Sequence, residues 1–156
     1  MAMWTASAGK DSMESFDLHF VSLPLKYVKN PKNTRMYEGL SKKKAMALRN
    51  KNYTYNSHRF GFSPKTFKTD DGLNKFWDVT AHHFMPNGTA FVASIEAKNY
   101  PFFGTQGHPE KPSQVWYEGL NIDHSWESIQ VQAHFSKLFV KMARANQNSI
   151  GNYSET

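Results

Sequence analysis

Tyr100-Pro101-Phe102-Phe103-Gly104-Thr105-Gln106-Gly107-His108-Pro109-Glu110-Lys111 is a short apolar run that passes directly into a histidine, a proline and a glutamate. Phe102, Phe103 and Thr105 predict a short buried strand ending at His108. In an extended segment residues two apart point to the same side, so His108 and Glu110 are expected to converge. Pro109 stiffens the backbone between them. A carboxylate beside an imidazole fixes its tautomer and stabilises its charged form, which suits the ring to act as base and then acid. Taken alone, a His-x-Glu pattern is more often structural than catalytic.

Upstream, Phe76 to Phe84 and Thr89 to Ala97 are two β-rich runs. Pro86-Asn87-Gly88 between them predicts a hairpin, because Asn and Gly accept positive φ. His82 and His83 fall on opposite faces of the first run, which argues against a paired ligand set. Tyr53 to Phe60 is aromatic and β-prone and carries His58. Phe16 to Leu25 alternates like a strand, with a phase shift, and ends near Pro24. Tyr37 to Arg49 predicts a helix with Leu40, Ala45 and Leu48 toward one side, and residues 29 to 34 predict a turn. Asp70 to Lys75 predicts a helical turn opened by an aspartate cap. Residues 1 to 8 resemble the end of a helix that Gly9 would stop.

Downstream, polar and proline-containing sequence leads to Asp123 or Ser125, either of which can cap a long helix. Ile129, Val131, Phe135, Leu138, Phe139 and Met142 give that helix a broad apolar stripe. His124 is expected at the helix start in a structural role, and His134 on the helix surface. From Gln147 the sequence is polar and expected to fray. Neither an internal repeat nor a dividing linker is visible in the 156 residues, a length that suits one domain.

A hydrophobic fraction of 39% with 15% aromatic residues is enough for a core, and 21% charged residues argues against disorder throughout. The net charge of +6 suits a basic soluble surface, an anionic substrate or, least well, nucleic acid. Lys42-Lys43-Lys44 is the one tight basic run, and a solvated helix face explains it. No zinc-finger spacing or phosphate loop accompanies it. The sequence contains 0 cysteines, so it offers neither a thiol nucleophile nor a disulfide. No apolar run reaches the roughly 20 residues of a membrane span. The Met1 to Ala6 stretch lacks the pattern of a signal peptide. Asn52, Asn87 and Asn152 begin Asn-x-Ser/Thr triplets.

The Tyr100–Lys111 stretch resembles the strand and loop that carry the histidine and acid of the γ-glutamyl hydrolases, within the class I glutamine amidotransferase-like group. The resemblance continues, in order, through Leu23-Pro24-Leu25, Arg35-Met36-Tyr37, Asn56-Ser57-His58, Phe62-Ser63, the Asn74-Lys75-Phe76-Trp77 turn and the hairpin. Beyond the loop it takes in Trp116, Ile122-Asp123-His124-Ser125, Phe139-Val140 and Ala143-Arg144, covering about residues 15 to 146. It implies an α/β fold: part of a class I glutamine amidotransferase-like, flavodoxin-like domain with a β-hairpin and a long C-terminal helix. Residues 1–146 would form the C-terminal part of that domain and 147–156 a polar tail.

In that family a cysteine thiolate attacks the γ-linked amide of a polyglutamate tail, typically on a folate. A histidine shuttles the proton and a glutamate orients it. The resemblance carries those roles to His108 and Glu110, and a substrate-site role to His58. It implies neither cofactor nor metal, a folylpolyglutamate-like substrate, neither nucleic acid nor membrane as partner, and a lysosomal, vacuolar or secreted setting. Arg35, Lys65, Lys68 and Lys111 would suit a polyanionic tail.

This sequence departs from the family's pattern at two places. Gly107 stands where the family has a bulky aromatic, which is expected to loosen the loop or open the pocket. The nucleophile is missing altogether. Met1-Ala2-Met3-Trp4 resembles the helix that follows the nucleophile turn, so the chain reads as a fragment that starts just after it. The alternatives are an inert binding or assembly subunit and a basic anion- or nucleic-acid-binding domain. A chain cut beside its central strands is expected to pair, as a dimer or with a chain supplying the other half, or to be poorly stable alone.

Overall fold

The Asn87-Gly88 turn closes a long hairpin, and the rest of the chain is arranged around it. In the computed structural model, which describes residues 12–149, Gly88 takes φ +85 and its amide donates to the Met85 carbonyl at 2.9 Å. Asn87 Oδ1 accepts the Thr89 amide at 3.0 Å, which satisfies the turn internally. The turn joins β4 (Trp77–Phe84) and β5 (Ala90–Ala97), which pair antiparallel. All but the first residue of β5 are buried. It lies between β4 and the short strand β6 (Phe103–Thr105), while β2 (Lys26–Tyr27) flanks β4.

A second, two-stranded sheet pairs β1 (Glu14–Leu23) with β3 (Thr54–Gly61). The phase shift in β1 is a bulge. Phe16 and Leu18 point inward, Phe20 adopts φ +56 and is 52% exposed, and the pairing register slips between Leu18 and Val21. A left-handed phenylalanine is costly, and the bulge re-aims the strand so that Leu23 returns to the core. All strand pairing among the described residues is antiparallel. The chain is thus mixed α/β with a long C-terminal helix.

The helices follow their caps. The helix α1 (Lys42–Asn50) begins five residues later than Tyr37. Gly39, at φ +77, turns the chain, and the Ser41 hydroxyl caps the start. Of the predicted inward side, Leu48 is fully buried and Leu40 packs on the core from outside the helix. Lys42 and Lys43 are solvated, and Lys44 donates to the Gln130 carbonyl at 3.2 Å. Two short helices, α2 (Pro64–Thr69) and α3 (Asp71–Phe76), follow β3, the second capped by Asp70 as expected. A single turn, α4 (Lys111–Gln114), precedes α5 (Trp126–Ala145).

Ser125 caps α5 by accepting the Ser128 amide, while Asp123 accepts the Ser125 amide at 2.8 Å. Ser125→Ala should therefore cost about 1 kcal/mol in chemical denaturation. In α5 Val131 and Leu138 are buried and Phe135 packs on the core. Phe139 departs from the expected stripe: it is 72% exposed. Its position, one residue past Leu138, turns it about 100° off the buried seam. Beyond α5, residues 147–149 form no regular element. The helix end expected over residues 1–8, the Met1–Trp4 resemblance and the rest of the tail lie outside the described residues.

The main core gathers Leu25, Tyr37, Leu48, Tyr53, Ala93 and Val131, and a smaller one joins Phe16, Leu18, Leu23 and Phe91 beneath β1. Phe103 is only partly buried and Phe102 lies open. The expected buried strand is a three-residue edge strand that pairs with β5 alone.

Candidate functional site

The segment leaving β6 is where the two sheets are stitched together. Gln106 donates its amide to the Ala93 carbonyl of β5 at 2.8 Å, and two residues on His108 donates to the Tyr55 carbonyl of β3 at 2.8 Å. Gly107 sits between them against β3. A Cβ at that position would lie 2.5 Å from Thr54 Cγ2 and 3.1 Å from the Tyr55 oxygen. The glycine therefore tightens the loop where a loosening was expected, because contact with β3 leaves no space for a side chain. The void beneath the loop, lined by Thr54, Gly107, Pro109 and Gln132, amounts to about 10 Å³, room for no ligand larger than water.

From this fixed backbone the two side chains converge as the spacing implied. His108 Nδ1 lies 3.0 Å from Glu110 Oε1. Both are open to solvent, with 39% of the imidazole side chain and 54% of the carboxylate side chain exposed. The contact assigns the ring proton to Nδ1 and leaves the lone pair on Nε2. The Tyr55 ring, buried in β3, lies 6.2 Å from the imidazole at a 52° tilt. The sequence pattern alone did not single out Tyr55. Its place in an aromatic β run was the only signal.

His58 stands three residues beyond Tyr55 on β3, opposite Leu18. Its ring packs edge-on against Phe91 at 5.1 Å, and both ring nitrogens are sealed from solvent without a well-formed hydrogen bond. Burial lowers its pKa, the nearby Phe60 backbone opposes this, and the positive charges that His108 and His19 can carry add to the lowering. Structure thus places His58 within electrostatic reach of His108, as a neutral, inward-packed ring.

The other histidines separate by burial. His83 is completely buried, touches Phe91 at 5.3 Å and pairs its Nδ1 with the Pro24 carbonyl at 3.0 Å. Burial pushes its pKa down to about 4. His82 is half-buried, and desolvation lowers it too. His124 holds the Pro112 carbonyl at 2.9 Å and stacks on Trp116 at 4.1 Å, which bears on the segment after Glu110. His134 is half-buried rather than free on the helix surface: its Nε2 meets the Met36 carbonyl at 3.0 Å, because α5 packs against the loop before α1. Among the described residues no group of three His, Cys, Asp or Glu side chains is placed to hold a metal. No described helix is long and apolar enough to cross a membrane.

Arg35 is likewise committed to structure. Its guanidinium donates to the carbonyls of Ala97 and Tyr100 and lies 5.7 Å from the Phe103 ring centre. Lys65 and Lys68 remain exposed on α2.

No protein-family model matches the chain. Curated proteins do. The chain is 30% identical over 138 residues to γ-glutamyl hydrolase B of Dictyostelium discoideum, which covers 88% of this chain and 40% of the relative. It is 29% identical over 135 residues to the γ-glutamyl hydrolase of Rattus norvegicus, covering 86% and 42%. Over a shorter stretch of 92 residues it is 35% identical to γ-glutamyl hydrolase 2 of Arabidopsis thaliana. The chain thus spans about two-fifths of the length of the Dictyostelium and rat relatives.

Proposed function

Because this chain is a relative of the γ-glutamyl hydrolases over most of its own length, we propose that it carries the proton-transfer part of a γ-glutamyl amide-hydrolysing site. The observation that supports this most is the His108–Glu110 contact of 3.0 Å, at the end of a strand in an ordered match. In this reading Glu110 holds the imidazole through Nδ1. His108 Nε2 takes the proton of an attacking nucleophile and returns it to the leaving amine. The resemblance assigns His58 to the substrate side, where its sealed, Phe91-packed ring would act by holding β3 in place rather than by touching substrate, and the described elements would be part of a class I glutamine amidotransferase-like domain. The substrate would be a folylpoly-γ-glutamate-like chain, met by the exposed Lys65 and Lys68 and by Lys111, but not by Arg35.

The nucleophile in such chemistry is a thiolate, and these 156 residues contain 0 cysteines. The chain by itself is therefore inert toward γ-glutamyl amides and retains only binding. Isothermal calorimetry with a poly-γ-glutamate should give heat of binding that His58→Ala reduces about tenfold in affinity. Incubation of the same mixture should release no glutamate. Glutamate release would disprove the inertness, and binding indifferent to His58 would remove that residue from the substrate site.

A further inference from the structure

The chain carries two exposed imidazoles held by carboxylates, and they differ in which nitrogen is used. His108 is held through Nδ1 by Glu110, whereas His19 is held through Nε2 by Asp17, each at 3.0 Å. Nδ1 lies next to the Cβ branch, and Nε2 is the unhindered end of the ring. Pairing through Nδ1 therefore leaves the accessible nitrogen of His108 as a lone pair, while pairing through Nε2 occupies the accessible nitrogen of His19. Among the other five histidines, His58 and His83 are sealed around Phe91, His134 is tied through Nε2 to Met36, and His82 is half-buried without a carboxylate partner among the described residues. His124 is also held through Nδ1, but by the Pro112 carbonyl, which cannot take up the ring proton as Glu110 can, and its ring is stacked on Trp116. His108 is also backed by a fixed main chain, since its amide is bonded to Tyr55 and Gly107 abuts Thr54.

We propose that in this cysteine-free chain His108 Nε2 is itself an acyl-accepting nucleophile toward activated acyl donors such as aryl esters, with Glu110 as its proton partner. Nε2 attacks the ester carbonyl, the bond from carbonyl carbon to aryl oxygen breaks, and the aryloxide leaves with the electron pair. The Nδ1 proton passes to Glu110 as positive charge develops on the ring, giving a neutral N-acylimidazole. Water then attacks the acyl carbon and the carbon–nitrogen bond breaks with its electron pair going to Nε2; Glu110 returns its proton to Nδ1, one water proton stays on the departing carboxylic acid and the other passes to solvent. An aryloxide leaves without being protonated. An amide nitrogen does not, so the same ring does not cleave γ-glutamyl amides unaided. This activity stands on the geometry of the pair and not on the γ-glutamyl reading.

The test uses the purified chain and p-nitrophenyl acetate, following p-nitrophenolate release and trapping the acyl group with hydroxylamine. His108→Gln should lower both signals to less than about half, and Glu110→Gln should lower them as well. His19→Gln should leave more than about half, and all three positions are exposed enough for the variants to fold. If His108→Gln retains more than half of the release, or if His19→Gln loses more than half, the proposal is overturned. Loss of polyglutamate binding would leave this result untouched, so the two readings fail separately.

Discussion

Gly107→Ala should destabilise the chain by about 1–3 kcal/mol, and a bulky aromatic at that position should prevent folding to the same structure. The added Cβ would lie 2.5 Å from Thr54 Cγ2 and 3.1 Å from a carbonyl that already accepts the His108 amide. Thr54 is a β-branched residue at the start of a paired strand, so its methyl has little freedom to move. The chain must therefore shift β3 away from the loop, breaking the bond that holds His108, or leave β3 in place and push the loop outward. Urea denaturation of wild type and Gly107→Ala reads the first consequence as a lowered midpoint. An unchanged midpoint would show that the seam between the sheets gives way more easily than this contact implies.

Acidification should unfold the chain more readily between about pH 6.5 and pH 4, with His83 the largest histidine contribution. In the unfolded chain this ring takes up a proton near its ordinary value of 6.5, whereas in the folded chain burial defers uptake to about pH 4. Protons therefore favour the unfolded chain. Stability from this group is complete above pH 6.5, falls as pH drops through the window and stops changing below it. The full span is worth roughly 3 kcal/mol. His58 and His82, lowered for the same reason, act in the same direction. In His83→Leu the acid-induced loss should shrink, even though the bond to Pro24 is gone and the variant starts from a lower stability. An equally steep acid loss in that variant would assign the sensitivity elsewhere.

Local signals were legible. Asn87-Gly88 specifies its turn through positive φ, Ser125 and Asp70 specify helix starts through their side-chain oxygens, and His108 and Glu110 converge because an extended spacing of two demands it. The misreadings all depend on a neighbour far away in the chain. His134 looked like a surface residue because nothing near it in sequence announces the Met36 carbonyl. Phe139 falls in the apolar stripe by periodicity, which cannot say how wide a face the core covers. The helix-forming pattern starts at Tyr37, yet helix α1 starts later, because Tyr37 belongs to the core as a loop residue, bonded to Ser94 at 2.7 Å. Gly107 has the sequence signature of slack, but the crowding it relieves comes from Thr54 and Tyr55, far away in the chain. Two-residue β2 has no pattern of its own and exists only through its pairing with β4.

The pairing of Glu110 with His108 Nδ1 underlies both the proton-transfer role and the ester chemistry. It is read most directly from the nitrogen-15 chemical shifts of the His108 ring at neutral pH. The geometry predicts that neutral His108 carries its proton on Nδ1, and that Glu110→Gln relaxes this preference toward the Nε2–H form favoured by a free imidazole. A wild-type ring already in the Nε2–H form, unchanged by Glu110→Gln, would contradict the account.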